Sequence, residues 1–207
     1  MKVLIVDDHA MFREGLKRVL QDEFKDATFG EAANVTEALA QLWKGPWDLV
    51  LLDILMQGRS GLEVLKELKA AQARTPVLVL SAHPEEQYAV RVLKAGAAGY
   101  LTKENAAQDL CRAVRKALSG GKYLTAGVAE QLAAEVQAAN RPAHGALSDR
   151  EYQVMLLIAA GKMPKEIGAE MALSAKTVST YRARILEKLR LKHKAEIMRY
   201  VLERRLS

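Results

Sequence analysis

Three near-continuous aliphatic runs dominate the first half of the chain: Val-Leu-Ile-Val at residues 3–6, Leu-Val-Leu-Leu at 49–52 and Val-Leu-Val-Leu at 77–80. A strand that is apolar at every position is buried on both faces, and a parallel sheet covered by helices on both sides provides that burial. Weaker strand candidates lie at 28–32 and 98–101. The stretches between them carry apolar residues at helical spacing: Phe12, Leu16, Val19 and Leu20; Val35, Leu39 and Leu42; Leu62, Leu65 and Leu68; Val90 and Leu93; Leu110, Val114 and Leu118. Asn34 followed by Glu37 is a helix-start pattern. Strand–helix alternation of this kind predicts an α/β domain, a doubly wound five-stranded parallel sheet.

The strand signal stops after Gly120-Gly121. A short helix is expected over 128–139, and Asn140-Arg141-Pro142-Ala143-His144-Gly145, polar and rich in helix breakers, reads as linker. Ser148 and Glu151 then form a capping-box pattern ahead of Val154, Leu157 and Ile158, with Gly161 at the helix end. A short helix is expected over 165–171, a longer one capped by Ser174 and ending at Leu189, and a last one carrying Ile197, Val201 and Leu202. The expected organisation is therefore an α/β domain at 1–120, a linker with a short helix at 121–146, and a small all-α four-helix domain at 147–207.

Charge separates the two parts. Residues 1–140 carry 17 Lys/Arg against 18 Asp/Glu, and residues 141–207 carry 14 against 7, so the net charge of +6 belongs to the last third. A phosphate backbone is the natural partner of such an excess. The longest apolar run, 154–160, is far shorter than the roughly 20 residues a bilayer span needs. The N-terminus lacks the features of a signal peptide, and the single cysteine, Cys111, suits a reducing compartment, so a cytoplasmic protein is expected.

In an open α/β sheet, chemistry gathers at the carboxyl ends of the strands. Asp7 and Asp8 follow the first strand, Asp53 the third, Ser81 the fourth and Lys103 the fifth. Singly, each reads as a helix cap or a solvated surface group; together, at the ends of four strands, they read as one site. Converging carboxylates repel, and a hard divalent cation with oxygen ligands, here Mg²⁺, relieves them. Asp53 can then act as a nucleophile toward phosphorus, with Lys103 and Ser81 facing the phosphoryl oxygens. Downstream, Val178, Tyr181, Ile185 and Leu189 share one helix face, while Lys176, Ser179, Thr180, Arg182, Ala183 and Arg184 occupy the other. A helix packed by one face and polar to basic on the other suits the major groove.

Val3-Leu4-Ile5-Val6-Asp7-Asp8-His9, Leu52-Asp53-Ile54-Leu55-Met56 with Gly58 and Gly61, Leu80-Ser81-Ala82 and Gly99-Tyr100-Leu101-Thr102-Lys103 resemble receiver domains. The segments Leu147-Ser148-Asp149-Arg150-Glu151, Gly161-Lys162-Met163-Pro164-Lys165-Glu166-Ile167-Gly168 and Leu173-Ser174-Ala175-Lys176-Thr177-Val178-Ser179-Thr180-Tyr181 resemble the LuxR-type helix-turn-helix. The pair is similar to the NarL/FixJ class of two-component response regulators. The resemblance implies that Asp53 is the phosphoacceptor and that Asp8, Asp53 and the Leu55 carbonyl hold Mg²⁺, with Asp7 acting mainly through water. It implies that Ser81 and Tyr100 are the switch pair. Ser179, Thr180 and Ala183 would approach base edges, and Lys165, Lys176, Thr177, Arg182 and Arg184 would contact phosphates. A sensor histidine kinase, double-stranded DNA and, when active, a second copy paired through the last helix are the implied partners.

Two positions depart from the family. Gln57 stands where proline is usual, which leaves that loop less restricted. Glu104 puts a negative charge beside Lys103. Other readings exist: a stand-alone phosphohydrolase lacks its second acid/base, because Leu55 stands two residues after the acceptor, so only slow self-dephosphorylation is expected. A constitutive DNA-binding protein with a vestigial receiver is a further alternative. A nucleotide-binding enzyme is opposed by the absence of a dinucleotide glycine pattern or a Walker loop.

Overall fold

The computed structural model describes residues 1–56, 60–71, 73–137, 143–204 and 206. Gln57 and Gly58, the end of the expected 128–139 helix, and Asn140, Arg141 and Pro142 lie outside the described residues. The chain forms two compact units, Met1–Ala129 and Glu130–Ser207.

In the first unit, β1 (Lys2–Val6), β2 (Thr28–Ala32), β3 (Leu49–Asp53), β4 (Val77–Ser81) and β5 (Gly99–Thr102) form one parallel sheet in the order β2-β1-β3-β4-β5. The interior strands β3 and β4 are buried at every residue. That pattern is why their sequences do not alternate. Side chains on successive strand residues point to opposite faces. Val3, Ile5, Leu49, Leu51, Leu78, Leu80 and Leu101 meet α1 (Ala10–Glu23) and α5 (Ala106–Leu118). Helices α2 (Val35–Leu42), α3 (Leu62–Ala70) and α4 (Glu85–Ala95) supply a further buried layer.

The helix faces match the expected periodicity with local exceptions. In α5 the buried stripe is Ala106, Leu110, Ala113, Val114 and Ala117, which leaves Leu118 about one residue's rotation away and exposed. In α4 the buried residues are Tyr88, Ala89, Val92 and Leu93, and Val90 is only partly covered. Asn34 caps α2 as anticipated, its side chain accepting from the Glu37 amide at 2.9 Å.

The second unit holds α7 (Asp149–Ala159), α8 (Pro164–Met171), α9 (Ala175–Leu189) and α10 (Lys194–Glu203). Between the units' principal elements runs α6 (Ala126–Gln137), which starts two residues ahead of the expected 128, and a 3-10 turn follows at Ala143–Ala146. The Ser148/Glu151 capping box is complete: the hydroxyl accepts from the Glu151 amide at 3.3 Å, and the Glu151 carboxylate accepts from the Ser148 amide at 2.7 Å. The same carboxylate lies 2.6 Å from the Lys188 ammonium, tying α7 to α9. Gly168 stands where a Cβ would come within 2.5 Å of the Leu173 carbonyl oxygen, so the α8–α9 turn needs glycine there. In α7 the core residues are Val154, Met155, Leu156 and Ile158, with the expected Leu157 only partly covered. The last helix divides its three apolar residues: Ile197 and Val201 are core, and Leu202 faces outward. Only Leu202 is thus left of the dimer-face reading of those residues.

Burial disfavours the charge on Glu151, but the Lys188 ammonium and the Ser148 amide and hydroxyl outweigh it and hold the carboxyl below its ordinary value. A carboxyl depressed in the folded state stabilises fully above the ordinary glutamate pKa of about 4.3. That contribution is lost as pH falls through the lower folded-state value. We expect Glu151→Gln to cost the second unit about 1–2 kcal/mol at pH 7, and less at pH 3. Both tryptophans, Trp43 and Trp47, lie in the first unit. Circular dichroism melting without a matching change in tryptophan fluorescence therefore isolates the effect.

Candidate functional site

The strand order places β1 beside β3, with β2 on one side and β4 and β5 on the other. Chain progression reverses at that junction, and the reversal opens a crevice at the carboxyl ends of the two strands. Asp7 follows β1 directly, Asp53 is the last residue of β3, Ser81 the last of β4, and Lys103 follows β5. Asp7, Asp53 and Ser81 are all at most 3% exposed, so the site is polar but nearly dry.

Lys103 joins the carboxylates. Its ammonium lies 2.7 Å from Asp7 Oδ2 and 2.7 Å from Asp53 Oδ2, and 4.7 Å from the centre of the Phe12 ring. Burial pushes the Asp53 carboxyl above the ordinary aspartate value, against the pull of Lys103 and the Leu55 amide. Burial works against the Lys103 charge as well, yet Asp53 and Asp7 together hold the ammonium's pKa above its ordinary value. The Leu55 amide donates to Asp53 Oδ1 at 2.8 Å.

Asp8 is partly exposed on the open side, with His9 Nδ1 2.7 Å from its Oδ1. His9 also donates its backbone N–H to Asp7 Oδ1 at 2.8 Å. One ligand atom from each of Asp7, Asp8, His9 and Asp53 falls within 4.8 Å of the others. This is a mainly hard oxygen donor set and fits a divalent cation of the magnesium kind. His9 appears in the sequence motif without a chemical role, and only geometry shows that its ring turns toward the carboxylates. Arg13, one turn into α1, donates to the Asp7 carbonyl at 2.7 Å; nothing in its local pattern signals that contact.

Ser81 and Tyr100 lie on neighbouring strands. Tyr100 is 2% exposed, and its hydroxyl donates to the His83 carbonyl at 2.8 Å. Burial pushes that hydroxyl's pKa far up. The His83 amide in turn donates to Ser81 Oγ at 3.2 Å. Gly61 lies against the backbone of Asp53 and Ile54 too closely for any Cβ, which fixes glycine in the loop after Asp53.

In the second unit, α9 buries Val178, Ile185 and Leu189, with Tyr181 partly covered. Lys176, Ser179, Thr180, Arg182, Ala183 and Arg184 are exposed on α9, as is Lys165 on α8; Thr177 is half-buried. Ser174 caps the helix, accepting from the Thr177 amide at 3.0 Å. The Ser179 and Thr180 hydroxyls donate back to the carbonyls of Ala175 and Lys176.

Residues 3–115 match the family model of the response regulator receiver domain, and residues 145–201 that of the bacterial regulatory proteins of the luxR family. Response regulator UvrY of Escherichia coli K12 is 36% identical over 200 residues, covering 95% of this chain and 91% of the relative. Response regulator GacA of Pseudomonas aeruginosa is also 36% identical over 200 residues, covering 95% of this chain and 93% of the relative. RcsB from Salmonella enterica serovar Typhimurium, solved bound to the promoter rprA with the phosphomimetic BeF3⁻, shares the fold, with a TM-score of 0.62 over 98% of each chain at 23% identity.

Removing Lys103 leaves Asp7 and Asp53 buried and facing each other. We expect Lys103→Met to lose about 3 kcal/mol or more at neutral pH without divalent cations, as broken buried pairs do. The loss should shrink as pH falls and a carboxyl takes up a proton. Urea unfolding followed by tryptophan fluorescence at pH 5 and pH 8 measures it.

Proposed function

The chain belongs to the response regulators, joining a receiver domain to a LuxR-type DNA-binding domain, and we propose that it takes a phosphoryl group on Asp53 from a partner histidine kinase. The observation that carries this reading is Asp53 at the crevice, 2.7 Å from an ammonium that also engages Asp7. An Asp53 oxygen attacks phosphorus, forming a P–O bond. The P–N bond to the donor imidazole breaks, and its electron pair stays on the imidazole. Asp53 becomes an acyl phosphate. The partly desolvated carboxylate suits the nucleophile's role, and Lys103 stays close enough to meet the incoming phosphoryl oxygens.

Asp7, Asp8, Asp53 and the Leu55 carbonyl would hold Mg²⁺, which when bound offsets the negative charge of the phosphoryl oxygens. Ser81 supplies a hydroxyl donor to the same oxygens, and Tyr100 responds through its place beside Ser81. No acid or base occupies position 55, so the acyl phosphate is released only by slow self-dephosphorylation.

The second unit reads DNA. Ser179, Thr180 and Ala183 approach base edges in the major groove, and Lys165, Lys176, Thr177, Arg182 and Arg184 contact phosphates, which position without specifying sequence. Small side chains at the reading positions leave much selectivity to DNA shape. Phosphorylation favours a homodimer on paired half-sites and so regulates transcription. Action on DNA supports a cytoplasmic protein, and no described helix is long and apolar enough to cross a membrane.

Incubated with Mg²⁺ and acetyl phosphate, the wild type is expected to gain one phosphoryl group by intact mass and Asp53→Asn none. Equal operator binding by phosphorylated wild type and Asp53→Asn would make the receiver vestigial. Arg184→Ala is expected to weaken binding to all DNA sequences alike and to reduce the slope of affinity against salt by about 1. A change in sequence preference instead would remove Arg184 from the phosphate contacts.

A further inference from the structure

The chain that follows α5 is fastened to the receiver at several points. The Tyr123 amide donates to the Ala98 carbonyl at 2.7 Å and pairs with Gly99 as a one-residue extension of the sheet beyond β5. Gly99 permits this approach, because a Cβ there would lie 2.9 Å from the Tyr123 carbonyl oxygen. The Arg112 guanidinium donates to the Tyr123 hydroxyl at 2.9 Å, and the Lys122 ammonium to the Ala97 carbonyl at 3.3 Å. A basic groove of about 750 Å³ runs beside this segment. Of its cations, Arg112, Arg115 and Lys122 are engaged by Asp109, Glu23 and Ala97.

The last fastening differs from the others. Thr125 Oγ1 donates to Glu85 Oε1 at 2.8 Å and accepts from the Val128 amide at 3.3 Å. Thr125 therefore caps α6 while bound to α4, and Val128 beneath it is 2% exposed. Glu85 is the first residue of α4. Two residues earlier stands His83, whose carbonyl holds the Tyr100 hydroxyl and whose amide holds Ser81 Oγ. The five residues 81–85 thus bear the hydroxyl at the carboxyl end of β4, the strand beside β3 and Asp53, the anchor of Tyr100 and the acceptor for the α6 cap. The boundary between the two compact units falls within α6 itself.

A hydroxyl drawn to a phosphoryl group on Asp53 leaves the His83 amide without that acceptor. The backbone at 83–85, with the Glu85 carboxylate, must then readjust. We propose that the Glu85–Thr125 hydrogen bond is a latch, holding the first turn of α6 to α4 until phosphorylation of Asp53 releases it. The proposal rests on the phosphoacceptor reading of Asp53 and adds to it the segment through which the signal leaves the receiver.

Hydrogen exchange of the full-length protein tests the latch, with peptides covering 122–130 followed before and after acetyl phosphate and Mg²⁺. Intact mass on the same samples reports phosphorylation separately. In phosphorylated wild type, exchange at Val128 and Ala129 should rise roughly tenfold, as expected when a charge-assisted hydrogen bond is lost. Glu85→Ala, which leaves the cap residue in place, should show the fast exchange without phosphorylation and little further change. Thr125→Ser, which keeps the hydroxyl, should follow the wild type. Unchanged exchange in wild type that mass shows to be phosphorylated, or in Glu85→Ala with its tryptophan fluorescence intact, would overturn the latch. Failure of wild type to gain mass would overturn the acceptor reading, and phosphorylation as the trigger with it.

Discussion

Asp7 and Asp53 lie almost wholly buried at the ends of adjacent strands, and one ammonium, Lys103, sits 2.7 Å from both. Carboxylates so placed repel, and taking them from water costs free energy that only pairing recovers. The rest of the receiver is arranged to make that pairing possible. Strand order brings β1 and β3 together although α1, β2 and α2 separate them in sequence. Lys103, 50 residues beyond Asp53, reaches both from the end of β5. Aliphatic strands covered by helices hold the three ends fixed, so the charges cannot relax apart.

The second unit solves a different problem, which is to hold one helix rigid while keeping its outer face free. Capping by Ser174 secures the start of α9, and Arg190 in the left-handed conformation ends it. Val178, Ile185 and Leu189 anchor its inner face. Lys188, near its end, is drawn to Glu151, which also closes the capping box of α7, so one carboxylate braces two helices. The outer hydroxyls of Ser179 and Thr180 rest on their own helix carbonyls, so each already has an acceptor within α9.

Between the Asp7–Asp53–Lys103 pocket and α6 runs the β4–α4 stretch. In it the Ser81 hydroxyl accepts from the His83 amide, the His83 carbonyl accepts from Tyr100, and the Glu85 carboxylate accepts from Thr125. Short hydrogen bonds in a partly buried setting are sensitive to small displacements, because geometry that departs from the ideal weakens them steeply. Under the latch proposal, a change confined to the Ser81 hydroxyl reaches α6 through these bonds.

Much of this was legible in the chain itself. Unbroken aliphatic runs at 3–6, 49–52 and 77–80 demanded a covered parallel sheet, and the polar residues after each run marked its carboxyl edge. Ser148 with Glu151, Asn34 with Glu37 and Ser174 announced helix starts because capping is local, using groups three residues apart. The excess of positive charge after residue 140 pointed to a polyanion for the same reason, since charge needs no fold to be counted. What stayed hidden depends on contacts between residues distant in sequence or on the exact rotation of a helix. His9 turning to Asp8, Arg13 reaching the Asp7 carbonyl, Tyr123 extending the sheet and Thr125 bonding Glu85 across 40 residues leave no periodic trace. Leu118 and Leu202 look like core by composition, but helix rotation carries both outside. Sequence alone determined which segments become strands and helices and which chemical groups stand at their ends, because propensity, periodicity and capping act over a few residues. Tertiary structure decided which of those groups meet, because strand order and helix rotation are settled only when the whole apolar surface is buried at once.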